Sequence, residues 1–94
     1  MSRLTDAQIA ELKTLARDLR MHAKHADGYA RADKERGDFV SERIWKLEAK
    51  ALRRRAKEHD EAITDERLSR RIDRLLARRN LANQHESDLR GGGR

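Results

Sequence analysis

Apolar residues recur at alternating spacings of three and four along the first third of the chain. The series covers three heptads without a break and comprises Ile9, Leu12, Ala16, Leu19, Ala23, Ala26 and Ala30. This spacing places every member on one face of a helix and is typical of a coiled-coil seam. Thr5 with Gln8 forms a capping-box pattern at the start, and Gly37 suits the left-handed conformation that ends helices. The pattern predicts a first helix over residues 6–36.

The next segment carries two apolar strips, roughly 120° apart on a helical projection. The first strip comprises Val40, Ile44, Leu47 and Ala51, and the second comprises Trp45, Leu52, Ala56 and Ile63. We expect a second helix over residues 39–63, capped by Asp38. Because a wide apolar arc usually packs on two neighbours, we place this helix in the middle of the fold.

Thr64, followed by Asp65 and Glu66, has the pattern of a new helix N-cap. It predicts a third helix over residues 65–84, whose buried face holds Leu68, Ile72, Leu75 and Leu76. The alternative is that Thr64 lies within a helix, which would fuse the last two helices into one rod. Residues 85–94 end in Gly-Gly-Gly-Arg and are expected to form a disordered tail.

These elements predict one all-α domain over residues 1–84 with coiled-coil-like packing. Its architecture is either a small three-helix bundle or a long antiparallel helical hairpin plus a third helix. The chain is 43% charged and 36% hydrophobic, which approaches the composition of disordered proteins. The periodicity argues for folding, and the economical core favours self-association into a homodimer.

Proline and cysteine are both absent, so no helix is interrupted by a proline and no disulfide or thiolate chemistry is available. Apolar runs reach only two or three residues, too short for a membrane span or a secretory signal. We therefore expect a soluble, cytoplasmic protein with no membrane partner.

Basic residues form a stripe on each predicted helix. The stripe of the first helix comprises Lys13, Arg17, Arg20, Lys24 and Arg31. Those of the later helices comprise Lys46, Lys50, Arg53 and Lys57, and then Arg67, Arg71, Arg74 and Arg78. Of the 23 basic residues 17 are arginine, whose planar fork of donors suits phosphate. The net charge rises from +1 over residues 1–38 to +2 over 39–63 and +3 over 64–94.

The leading hypothesis is a non-enzymatic binding protein whose Arg-rich surface engages nucleic acid or another acidic partner. The arginines of the third helix would make the primary contacts and the stripe of the second helix would flank them. The heavy use of Arg and Ala is typical of short accessory or regulatory proteins of GC-rich bacteria, plasmids or phages. The plainer interpretation is that these stripes are only the solvated faces of amphipathic helices. A helix-turn-helix is disfavoured, because residues 61–65 contain no glycine and the preceding helix is long.

The alternative function is a protein–protein adaptor or inhibitor that uses an exposed apolar strip of the middle helix. Its interface residues would be Trp45, Leu52 and Ile63, since tryptophan is a favoured interface anchor. The plainer role for Trp45 is to close the core between the second and third helices.

Catalytic and metal-binding patterns are weak. His22 and His25 share a helix face, but the chain has neither the Glu-x-x-His repeats of di-iron bundles nor a His-Glu-x-x-His motif. No serine has the strained turn context of a nucleophile. The sequence therefore predicts no enzyme, no metal, no cofactor and no small-molecule substrate.

Overall fold

The computed structural model describes residues 4–92, with side chains described as far as residue 84. Two helices, α1 (Asp6–Glu35) and α2 (Phe39–Gly92), run antiparallel and pack against each other. The molecule is extended, 87 Å long and 20 by 14 Å across, with a radius of gyration of 24.0 Å. The expected all-α class is confirmed in the form of a long helical hairpin.

Local hydrogen bonds define the start of α1 as the sequence predicts. The Gln8 N–H donates to Thr5 Oγ1 (3.1 Å), and the Thr5 N–H donates to Gln8 Oε1 (2.8 Å). These reciprocal bonds satisfy two backbone donors that helix geometry leaves without partners.

The turn between the helices is also built by local chemistry. Gly37 has a φ of +79°, its N–H donates to the Lys34 carbonyl (3.0 Å), and the Asp38 N–H donates to the Asp33 carbonyl (2.8 Å). This is a Schellman ending, in which glycine takes the left-handed position without a Cβ penalty. The Asp38 carboxylate then accepts from the Ser41 N–H (3.1 Å) and caps α2, so both cap predictions are confirmed.

The core between the helices is unusually rich in alanine. On α1 the predicted seam faces α2, with Ile9, Ala16, Ala23, Ala26 and Ala30 buried and Leu12 and Leu19 half-buried. On α2 the facing residues again alternate in spacings of three and four: Glu42, Trp45, Ala49, Leu52, Ala56, His59, Ile63, Glu66 and Arg70. Such small residues let the backbones approach closely, while Trp45 and Leu52 pack at the margin of the central alanines.

The predicted break at Thr64 does not occur, because α2 is continuous from Phe39 to Gly92. The separate third helix over residues 65–84 is therefore wrong, and the alternative of one long rod is correct. Ile63 and Glu66 on either side of Thr64 are both buried, so packing on α1 continues through this position. The tail expected over residues 85–94 has a helical backbone as far as Gly92, and residues 93 and 94 lie outside the described range.

The two helices differ in length, and α2 continues well past the start of α1. Arg70 pairs with Asp6, the first residue of α1, so the 22 residues of α2 that follow Arg70 extend beyond that point. At 1.5 Å per residue they span about 33 Å. Within residues 4–92, neither helix is long and apolar enough to cross a membrane.

Candidate functional site

The net charge of the chain is concentrated at the end where α2 stands alone. Residues 4–66, which form the hairpin, contain 14 basic and 14 acidic residues and are formally neutral. Residues 67–84, here called the arm, contain six arginines and a single acid, Asp73. The arm therefore carries a formal charge of +5, most of the +6 of the whole chain.

Arg70 anchors the base of the arm to the start of α1. Its guanidinium donates to the Leu4 carbonyl (2.7 Å), to the Asp6 carboxylate and, within α2, to Glu66 Oε1 (3.1 Å). The bond to Asp6, followed by that to Glu66, raises the pKa of Arg70 above its ordinary value. Of the six arginines in the arm, Arg70 thus has a structural role.

Beyond this anchor the arm has an arginine row. Arg67, Arg71, Arg74 and Arg78 are exposed and fall within an arc of roughly 60° at 100° per residue. The Arg74 Nε–H donates to the Arg70 carbonyl (3.4 Å), which leaves the two terminal guanidinium nitrogens of Arg74 available for other contacts. Because α1 begins at Asp6, beside Arg70, none of its acids in the described residues lies alongside the arm beyond that point. Cross-helix pairing therefore does not neutralise this row.

An apolar row lies beside the arginine row, on the face turned away from α1. It comprises Leu68, Ile72, Leu75 and Leu76, each between 50 and 54% exposed. The sequence predicts that these residues are buried in a bundle. The structure corrects this, because α1 packs on the opposite face of α2. In addition, α1 starts at Asp6, beside Arg70, so most of the arm has no neighbouring helix in the part of the chain that the structure describes.

The basic stripe predicted on the second helix is divided by the structure. The Arg53 guanidinium pairs across the hairpin with Asp27, and Lys46 Nζ lies 3.5 Å from Glu42 Oε2. The bond from Arg53 is the largest cause of a lowered pKa at Asp27. Lys50 and Lys57 are exposed. Two of the four predicted flanking contacts are thus engaged by acids of the same chain.

The apolar residues assigned to a protein interface lie on the strip that packs against α1. Ile63 is buried, while Trp45 and Leu52 are half-buried against the central alanine cluster. The strip left open is the other one, here called the outer strip, with Val40, Ile44 and Leu47 between 59 and 74% exposed. The sequence-based prediction did not identify which of the two strips faces α1. The signal was Ala49 and Ala56, which share the face of Trp45 and match the small residues of the α1 seam.

A shallow open groove along one side of the hairpin is lined by two histidines and two aromatic residues, His22, His25, Tyr29 and Trp45. The rings of Tyr29 and Trp45 pack with centroids 4.8 Å apart, and those of His22 and His25 lie edge to face at 6.4 Å. Across the described residues, no group of three or more His, Asp or Glu side chains is placed to hold a metal ion. The arm is therefore the strongest candidate site on charge and exposure.

No family model, curated protein or solved structure matches the chain.

Proposed function

We propose that this protein is a non-enzymatic, cytoplasmic nucleic-acid-binding protein that contacts phosphates through the arginine row of its arm. The observation that carries the proposal is the separation of charge, with a neutral hairpin and an arm of +5. A large local positive potential on a projecting helix attracts polyanions and speeds their association.

The geometry of the row suits a run of phosphates. From Arg67 to Arg78 the helix rises about 16 Å, and successive arginines of the row lie three or four residues apart, which is close to one helical turn. Each guanidinium can bind a phosphate with two parallel hydrogen bonds, which a lysine ammonium cannot do.

The arm should bind with little sequence preference. Residues 67–84 contain no aromatic side chain on which an exposed base could stack. Phosphate contacts fix position without reading sequence, so binding should depend steeply on salt and weakly on base composition. Lys50 and Lys57 are secondary contacts in this proposal, because they lie on the neutral hairpin.

A pair of matched variants tests the proposal. Arg71, Arg74 and Arg78 are replaced by Gln in one, and Arg17, Arg43 and Arg55, three exposed arginines of the hairpin, are replaced by Gln in the other. Both remove three charges from helix surfaces, and Gln has nearly the helix propensity of Arg. Circular dichroism should show equal helicity.

Binding to a mixed-sequence DNA duplex is then measured from about 50 to 300 mM salt. We expect the arm variant to bind about tenfold more weakly or worse at the lowest salt, and to flatten the salt slope by about one unit for each phosphate that it no longer binds. The hairpin variant should stay within about threefold of the wild type. Equal weakening in both variants, or no duplex retention by the wild type at the lowest salt, would contradict the proposal.

The alternative, a protein adaptor or inhibitor, is favoured by the exposed outer strip of α2. Val40, Ile44 and Leu47 form an apolar surface on the face opposite α1. A partner bound mainly through such a surface would be held with little dependence on salt, whereas phosphate binding weakens steeply. The salt dependence of partner binding therefore separates the two functions.

A further inference from the structure

We propose that two copies of this chain associate through the outer faces of their α2 helices, which run antiparallel to each other. The outer strip of one copy then covers the apolar row of the other. The contact requires no nucleic acid and stands independently of the function proposed above.

The first support is that both apolar patches lie on one continuous face of α2. From Val40 to Leu75, spacings of four and three residues repeat without interruption: Val40, Ile44, Leu47, Ala51, Arg54, Glu58, Glu61, Asp65, Leu68, Ile72 and Leu75. All eleven residues are exposed. The residues that face α1 repeat with the same heptad period, so the two faces stay on opposite sides of α2 along the hairpin.

The second support is the charge order on this face. Its middle section reads Arg54, Glu58, Glu61 and Asp65, between one apolar patch at each end. A parallel, in-register pair of α2 helices would place each of these charges against its own copy. Like charges facing each other are unfavourable, so the pattern argues against a parallel pair.

An antiparallel pair matches the two ends. In an antiparallel coiled coil, a residue at one of the two seam positions of the heptad faces a residue at the other seam position of the second helix. One register of this kind places the apolar patch at each end of one copy against the patch at the opposite end of the other copy. In this register Ile44 faces Leu75 of the second copy, Leu47 faces Ile72, and Ala51 faces Leu68. Next in line, Arg54 faces Asp65 of the second copy.

The two-fold symmetry repeats each of these layers at the other end of the contact. Six apolar layers and two ion pairs therefore surround a centre in which Glu58 faces Glu61. Like charges face each other in this centre, which makes it a sensitive test of the register.

The arrangement is sterically open, because α1 packs on the other face of α2. In the dimer the two α2 helices lie in the middle and the two α1 helices lie outside. A closed two-fold contact uses both patches of each chain and stops at two copies, whereas a staggered parallel contact would continue into filaments.

A charge exchange tests the contact, with mass measured by sedimentation equilibrium in nucleic-acid-free protein. We expect a dimer for the wild type. Arg54→Glu alone or Asp65→Lys alone should each weaken dimerisation by about tenfold, because each places like charges in two layers. The double variant Arg54→Glu/Asp65→Lys should restore the wild-type dimer, since the pair is reversed in both layers.

Glu61→Lys is the matched variant that should strengthen the dimer. It converts the two central contacts with Glu58 into attractions and should tighten the dimer by about tenfold. All three substituted positions are exposed in the hairpin, and unchanged helicity will show that each variant folds.

Cysteine cross-linking fixes the register directly, because the chain contains no cysteine of its own. Arg54→Cys mixed with Asp65→Cys should form a covalent dimer under mild oxidation, and neither variant alone should do so efficiently. A monomer at all concentrations, larger open-ended species, failure of the double variant to recover, or equal cross-linking of the separate variants would each overturn the proposal.

Discussion

The two parts of α2 use the same kinds of residues in opposite ways. In the paired part, from Phe39 to Glu66, small and apolar side chains face α1, and charged side chains such as Arg53 reach across to acids of α1. In the arm beyond Arg70, leucines and arginines alike face solvent. Both parts contain apolar and basic side chains, and the presence or absence of α1 decides whether these side chains face a helix or solvent.

This difference shows how the arm stays helical. An isolated helix is costly to start in water, because the first turn fixes several residues for one hydrogen bond. The paired part supplies that nucleus, and the arm propagates from it through good helix formers such as Arg, Leu and Ala. The free energy of local unfolding of the arm should therefore be low, and a bound partner should raise it.

The largest effect should come from filling the seam with a bulkier side chain. Ala49 is 1% exposed between the helices, so Ala49→Leu must push the backbones apart and should destabilise the hairpin by about 1–3 kcal/mol. Ala77 lies four heptads later on the same face but is exposed in the arm, so Ala77→Leu should stay within about 0.5 kcal/mol. Urea denaturation of the two variants compares the parts directly, and equal destabilisation would show that the arm is packed as tightly as the hairpin.

An intermediate effect is expected at the turn. The buried Asp33 carboxylate accepts hydrogen bonds from Ser41 Oγ and Arg36, and the bonds from Ser41 and then Arg36 are the main causes of its lowered pKa. Asp33→Ala should lower the urea midpoint by less than Ala49→Leu, since it removes an acceptor but leaves the seam intact.

The pH dependence of Asp33 has a definite sign. Because its pKa in the folded protein lies below the ordinary value of 3.8, its charge adds stability above that pH, and this stability disappears as the pH falls through the folded pKa. The midpoint difference between the wild type and Asp33→Asn should hold from pH 7 to 5 and shrink below about pH 4. A difference that persists at pH 2 would show that shape, not charge, accounts for the effect.

The smallest effect should be a gain at Gly28. This residue lies within α1, and a Cβ built there meets no atom within 4 Å. Gly28→Ala should therefore raise the free energy of unfolding by about 0.5–1 kcal/mol through reduced backbone entropy of the unfolded chain. Asn80→Ala in the arm is the matched change: it should increase helicity slightly and leave the urea midpoint unmoved. A shifted midpoint for Asn80→Ala would indicate that the arm unfolds together with the hairpin.

Features that depend on neighbouring residues are accessible from the sequence. The Thr5–Gln8 box, the left-handed Gly37 and the Asp38 cap all follow from short-range chemistry. The α1 seam follows from periodicity alone. The predicted concentration of positive charge toward the C-terminus also follows from counting residues, although its sharp boundary near Arg67 required the register of the hairpin.

Features that depend on the register of the helices were not accessible. The Thr64-Asp65-Glu66 pattern is compatible with both a cap and a helix interior, and contact with α1 decides for the interior. Two apolar strips on α2 can be recognised, but which one faces α1 depends on how closely the helices approach. In the same way, the partner of Arg53 lies 26 residues away in the sequence, at Asp27.

Amide hydrogen exchange along α2 tests the central claim, that α1 stabilises the paired part whereas the arm is stabilised by other molecules. In dilute protein we expect slow exchange over residues 45–63 and nearly unprotected exchange over residues 71–84. Adding a DNA duplex should slow exchange in the arm and leave the paired part unchanged, whereas raising the protein concentration should slow exchange in the arm through dimer contacts that also cover the paired part. An arm as protected as the paired part in dilute protein, or an arm that neither addition protects, would contradict the account.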